Sequence, residues 1–206
     1  MIGLADELCA EHLLRIKRSS YGTIYDHCLR VTVSLIDEFN IIDPTIITAG
    51  ILHDMIEDSP MTGSDIQGLF GLKVLQILRP LNRNGVRWEQ LKLAHPNKNI
   101  YRAMQNHMIM KEKGPVSLIK SVDKLDNLRD MTMIKSNDKK YSRIPYWITE
   151  VKISILPYTI RYYPSVADEM TKEIASIEAI FSSEIAKLFD NYSRRLDEAL
   201  YLWEKV

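Results

Sequence analysis

The sequence has no excess of charge of either sign: 27 basic and 27 acidic residues give a formal net charge of zero. No global field therefore draws DNA, RNA or an anionic membrane to the chain, and a phosphate-bearing ligand must be held by local groups. Cysteine is scarce. Cys9 and Cys28 are the two in 206 residues, each inside a segment of helical periodicity, which argues for buried thiols in a reducing compartment and against a disulfide framework. No apolar run approaches the roughly 20 residues of a membrane helix, and Asp6, Glu7 and Glu11 interrupt any signal pattern at MIGLADELCAEH. These absences point to a cytoplasmic protein. Also missing are an internal repeat and the period-two alternation of a half-buried strand.

What is present is helical. Residues 4–17 carry Leu4, Leu8, Leu13, Leu14 and Ile16 at helical spacing. RSSYGTIYD breaks that pattern, and Asp26 is placed to cap a second helix running to Phe39, with Leu29, Val33 and Ile36 on its core face. Pro44 opens a third helix, TIITAGILHDMIED, which stops near Ser59-Pro60. Two short helices flank Gly71, and the polar segment 82–99, with Asn84-Gly85 and Pro96, reads as a loop. A helix over 100–111 follows, then one over VSLIKSVDKLDNLRDMTMI with Leu118, Val122, Leu125, Leu128 and Met131 on one stripe. Residues 144–163 form a helix interrupted by Pro157, and 166–204 a long amphipathic one. The fold class is all-α, a bundle with a long C-terminal helix, and with 46% hydrophobic residues the chain suffices for one domain with a full core.

The third helix ends in ILHDMIEDSP, where His53, Asp54, Glu57 and Asp58 follow an apolar run. On one helix His53 would stack over Glu57 and Asp54 over Asp58, the two rows about 100° apart. Acids at a helix C-terminus oppose the macrodipole and repel one another. A single His-Asp dipeptide is usually a solvated helix end with a satisfied histidine, and Asp123 by itself reads as a partner for Lys120 or Lys124. A divalent cation would compensate the cluster, and imidazole with carboxylates suits Mn²⁺, Fe²⁺ or Mg²⁺ better than structural zinc. His27, at the start of the second helix, and Asp123, a carboxylate in an otherwise apolar helix, complete a four-ligand set with His53 and Asp54.

The order H…HD…D on a helical chain resembles the HD-domain metal phosphohydrolases. HDMIEDS, RSSYGTIYDH and IKSVDKLDNLRDM are similar to the corresponding segments of the hydrolase domain of the RelA/SpoT homologue family, over roughly residues 5–163. The resemblance implies Mn²⁺-dependent removal of pyrophosphate from the 3′ position of (p)ppGpp, with one divalent ion per chain. It assigns His27, His53, Asp54 and Asp123 to the metal, Glu57 and Asp58 to the attacking water, and Arg18, Ser20 and Asn127 to the nucleotide. A hydrolase domain over 1–165 and a C-terminal helix over 166–206 packed on it follow, and the length fits a small alarmone hydrolase without a synthetase domain.

Three positions depart from the family pattern. Asp126 stands where histidine is frequent, Asp130 where threonine is common, and Ser19 where the neighbour of Arg18 is frequently basic. Two other readings stay open: an antitoxin-type hydrolase that clears adenosine alarmones or pyrophosphate on tRNA 3′ ends, with a cognate toxin as its counterpart, and a catalytically silent module that binds a partner through the 166–204 helix. Neither needs a membrane or DNA.

Overall fold

A computed structural model describes residues 1–18, 22–84, 86–95, 97–203 and 205, with backbone alone at 86 and 87. Ser20, assigned above to the nucleotide, lies outside the described residues, as does Ser19. Among the described residues the secondary structure is helical, apart from one isolated bridge between Lys17 and Thr23. No helix among them is long and apolar enough to cross a membrane.

The chain divides into two compact units, the first made of Met1–Asn84 with Glu112–Asp126 and the second of Gly85–Lys111 with Asn127–Val206. In the first unit α1 (Ile2–Leu13) and α2 (Ile24–Val33) pack with α3 (Pro44–Leu52), and α3 packs on α6 (Leu72–Leu81). Short helices α4 (Met55–Asp58) and α5 (Gly63–Phe70) lie between α3 and α6 in the chain. Helix α3 is the apolar centre: Ile47 to Leu52 are all buried. Its start follows from sequence, with Pro44 in the first turn and the Asp43 side chain accepting from the Thr45 N–H at 2.7 Å. Gly50 lets this helix approach its neighbour, since a Cβ there would come within 2.8 Å of Leu35 Cδ1.

Three expectations for this unit change. The cap of α2 is Thr23, and Asp26 reciprocates as the third helical residue: the Asp26 N–H donates to Thr23 Oγ1 and Asp26 Oδ2 accepts from the Thr23 N–H at 2.7 Å. The buried face of α2 is His27, Cys28 and Val31, continued by Leu35, whereas Val33 and Ile36 are exposed. Past Val33 the helix widens into one π-type turn, Ser34–Glu38, which rotates the later side chains off the stripe that a 3.6-residue period predicts. The third predicted helix is also two: α3 ends at Leu52, and α4 begins only at Met55.

The second unit contains α7 (Val86–Ala94), α8 (Lys98–Lys111), α10 (Ile144–Ser154), α11 (Leu156–Tyr162) and α12 (Pro164–Trp203). Helix α9 (Gly114–Thr132) contributes its residues up to Asp126 to the first unit and the rest to the second. Helix α12 packs on α8, α10 and α11 through Met170, Ile174, Ile177 and Phe181, with non-helical backbone at Phe181. The segment expected to be a loop carries α7, anchored by buried Trp88 and Leu91. Those two side chains explain the difference: once buried they contribute about 2 kcal/mol or more each, which outweighs the polar composition around them.

Candidate metal centre

The break between α3 and α4 places His53 and Asp54 at a junction, and both still have right-handed backbone. His53 Nδ1 lies 2.8 Å from the carbonyl oxygen of Gly50, one turn back. His27, on the buried face of α2, sets its Nδ1 2.6 Å from Asp126 Oδ2. Each Nδ1 faces an oxygen that can only accept, so each ring donates there and, when neutral, carries its lone pair on Nε2. The two Nε2 atoms are 3.2 Å apart. Two lone pairs so aimed repel unless a proton or a metal cation lies between them.

Carboxylates close the set. Asp54 Oδ2 is 3.8 Å from His27 Nε2, Asp54 Oδ1 is 3.5 Å from His53 Nε2, and Asp123 Oδ1 is 3.3 Å from His27 Nε2. Ligand atoms of His27, His53 and Asp54 all lie within 4.8 Å of one another. Asp123 joins through His27, and its Oδ2 accepts from Lys120 Nζ at 2.9 Å, the ion pair that the sequence also allowed. Electrostatics agree with a cation-seeking site. Burial opposes charge on both imidazoles, yet both are raised above the usual histidine range, His27 by hydrogen bonds to Asp123 and Asp126 and the charge of Asp54, His53 to about 9 chiefly by Asp54. Burial likewise opposes charge on Asp54 and Asp123, but the histidines hold Asp54 low, and Lys120 and His27 hold Asp123 well below the carboxylate range. Surroundings that favour a proton on two imidazoles favour a divalent ion for the same reason. The donor set of imidazole nitrogens and carboxylate oxygens therefore fits one.

A cleft of about 230 Å³, counting its open side, adjoins these groups, lined by His53, Asp54, Glu57, Leu81, Arg83, Ile119, Lys120 and Asp123. Glu57 does not point freely into it. Its carboxylate accepts from the Arg83 backbone N–H and from the guanidinium, at 3.0 and 3.1 Å from Nε and 2.8 Å from Nη2. Asp58, on the exposed side, has its carboxyl pushed up to about 6 by lost hydration and by the charges of Asp54 and Glu57. Arg18 Nη1 is 3.7 Å from Asp126 Oδ2. Asn127 is half-buried, one turn beyond Asp123 on α9.

Sequence reading missed three groups. Asp126, one of the departures from the family pattern, is 3% exposed, and it is occupied by His27 and by Arg30, whose Nε and Nη2 donate at 2.7 and 2.8 Å. The i to i+3 spacing of Asp123 with Asp126, and of His27 with Arg30, was a usable signal. Arg83 had none, being 26 residues from Glu57 in a polar stretch.

Among solved structures, the chain superposes on a metazoan ortholog of SpoT that hydrolyzes ppGpp, with a TM-score of 0.64 and 21% identity over 85% of this chain and 94% of that one. The chain has the fold of that SpoT ortholog. Its sequence is 30% identical over 122 residues to guanosine-3′,5′-bis(diphosphate) 3′-pyrophosphohydrolase MESH1 of Drosophila melanogaster, covering 59% of this chain and 63% of the fly protein. It is 28% identical over 127 residues to a Mycoplasma genitalium protein named "Probable guanosine-3′,5′-bis(diphosphate) 3′-pyrophosphohydrolase", covering 60% of this chain and 17% of that much longer one. The chain thus spans less than two thirds of either relative. No family profile matches it. The resemblance read from HDMIEDS and IKSVDKLDNLRDM is borne out in these names, and the all-α class in the helices of the described residues and the structural match.

Proposed function

We propose that the chain is a divalent-metal-dependent 3′-pyrophosphohydrolase of guanosine 3′-diphosphate alarmones, releasing pyrophosphate and leaving GDP or GTP. The observation that carries this reading is the convergence of two imidazole Nε2 atoms, 3.2 Å apart, with the carboxylates of Asp54 and Asp123. The names of the similar proteins support the substrate class.

His27, His53, Asp54 and Asp123 would hold the ion, and Mn²⁺ is our choice because mixed imidazole and carboxylate donors suit it. When bound, such an ion lowers the pKa of water toward neutrality and offsets charge on phosphoryl oxygens. The chain's own groups do the rest. Glu57, held by Arg83, orients the attacking water on the cleft wall. Asp58, with its carboxyl at about 6, is suited to take a proton near neutral pH. Arg83 and Lys120 line the same cleft and supply positive charge for the pyrophosphate, while Arg18, Ser20 and Asn127 are assigned to the nucleotide. A cytoplasmic setting fits such a substrate.

The test is pyrophosphate release by purified protein with Mn²⁺, offering ppGpp, its adenosine counterpart and 3′-pyrophosphorylated tRNA in parallel. Release from ppGpp, lost in Asp54→Ala and Glu57→Ala, is the expected result. Release from tRNA alone would move the chain to RNA end repair, and release from none would overturn the proposal.

A further inference from the structure

Asp126 stands where the resemblance leads one to expect histidine, and the geometry gives it work that a histidine could not do. It sits on α9, three residues past Asp123, and is 3% exposed. Its Oδ2 lies 2.6 Å from His27 Nδ1 and takes a hydrogen bond from Arg30 Nη2 at 2.8 Å, while Oδ1 takes one from Arg30 Nε at 2.7 Å. Arg18 Nη1 stands 3.7 Å away. A carboxylate gripped on both oxygens by a guanidinium fork cannot rotate. Its hydrogen bond therefore fixes the plane of the His27 ring and keeps the hydrogen on Nδ1, so that the Nε2 lone pair points toward His53, Asp54 and Asp123.

We propose that Asp126 is a positioning residue, held by Arg30, that orients His27 Nε2 and raises its basicity toward a divalent cation. The proposal rests on the metal-site reading above. It goes beyond it in making metal affinity depend on a residue that touches neither metal nor substrate. Carboxylate partners of ligating histidines change affinity about 10- to 100-fold when removed.

Wild type, Asp126→Asn, Asp126→Ala and Arg30→Met are titrated with Mn²⁺ by calorimetry, and their melting temperatures are measured in chelator. The expected order is a Kd raised about 10- to 100-fold in Asp126→Ala and less in Asp126→Asn, whose carbonyl oxygen still accepts from Nδ1–H. Arg30→Met is weakened to an intermediate degree, because the carboxylate stays but loses its clamp. In the ppGpp assay, raising Mn²⁺ well above the variant's Kd restores kcat in Asp126→Ala, a rescue that a merely structural role would not give. Unchanged Kd in Asp126→Ala, even with a lowered melting temperature, would overturn the proposal and leave Asp126 as an ion-pair partner of Arg30. If Asp126→Ala does not fold, Asp126→Asn decides: affinity equal to wild type overturns the proposal and weaker binding supports it. Failure of wild type itself to bind Mn²⁺ overturns the metal reading, which is a separate outcome.

Discussion

The clamp between Arg83 and Glu57 is the most quantifiable contact at the cleft. Its perturbation is Arg83→Met, which keeps an apolar stem and the backbone N–H but deletes the guanidinium. Three of the four hydrogen bonds that Arg83 gives the Glu57 carboxylate go with it. Glu57 has a side chain only 10% exposed, while Arg83 is 36% exposed. Breaking a fully buried pair costs about 3–5 kcal/mol, and breaking an exposed one about 0–1 kcal/mol. With one partner buried and the other a third exposed, Arg83→Met should cost about 1–3 kcal/mol, and each kcal/mol lowers the melting temperature of a chain this size by about 2–4 °C.

Urea midpoints in chelator, for wild type, Arg83→Met, Glu57→Met and the double variant, isolate the pair from metal binding. The expected coupling is about 1–2 kcal/mol, within the range for residues in contact. Arg83→Lys should recover part of it, because an ammonium keeps the charge but not the fork. A coupling below about 0.3 kcal/mol, the error of additivity itself, would refute the clamp. In the activity assay the same reasoning requires Arg83→Met to lower kcat, since Glu57 would lose its fixed orientation. Unchanged kcat together with strong coupling would make the pair a structural one.

Mn²⁺ at about 100 times its Kd should stabilise wild type by about 2.7 kcal/mol against unfolding. Asp54→Ala should lose most of that gain in the same melting experiment, and an equal gain in the variant would move the site elsewhere. Gly22→Ala should destabilise the chain by about 2–3 kcal/mol: φ is +68° there, which costs a side chain about 1–2 kcal/mol, and the new Cβ would meet Asp26 Oδ2 at 2.6 Å, disturbing the cap of α2 for about 1 kcal/mol more. A urea titration that finds less than half of this would deny the strain. Asp58→Asn should act only at higher pH. The Asp58 carboxyl rises from 3.8 to about 6 on folding, so the folded chain binds the proton more tightly and wild type loses stability as pH climbs from about 4 through 6. In chelator the variant should therefore match wild type near pH 4 and exceed it at pH 8, by about 1 kcal/mol or less because the group faces solvent. An advantage at pH 4 would contradict the direction of the shift.

The parts of the fold that sequence announced are those where local chemistry and packing agree. Gly71 separates α5 from α6 with φ +88°, Pro157 sits in the first turn of α11, and the stripe Leu118, Val122, Leu125 and Leu128 is buried along α9. Where tertiary contacts decide, periodicity misled. The π-type turn after Val33 swings Ile36 outward, and Val33 just before it is exposed as well; Trp88 and Leu91 turn a polar stretch into α7. At the site, the four residues singled out by type and motif, His27, His53, Asp54 and Asp123, lie side by side. Of the groups around them, Asp126 and Arg30 were signalled by their i to i+3 spacing from Asp123 and His27, whereas Arg83 lies 26 residues from Glu57, a distance over which no helical period carries information.

Those groups explain why so many acids tolerate one another here. Asp126 is answered by Arg30, Glu57 by Arg83 and Asp123 by Lys120. Asp54 differs. It lies 3.8 Å from His27 Nε2 and 3.5 Å from His53 Nε2, two rings whose Nδ1 atoms are already engaged with Asp126 and Gly50. Guanidinium and ammonium groups thus balance the acids around the centre, and at the centre itself the Asp54 carboxylate meets the two imidazole Nε2 atoms, with Asp123 Oδ1 3.3 Å from His27 Nε2. An Arg or Lys at that point would have quenched the site electrostatically and blocked it. A helix carried unbroken through residues 53 and 54 would stack His53 over Glu57 and Asp54 over Asp58 in two adjacent rows about 100° apart. The break after Leu52 instead leaves Glu57 to Arg83 and turns His53 and Asp54 toward His27, which is how an apolar helix comes to end in an imidazole and three carboxylates.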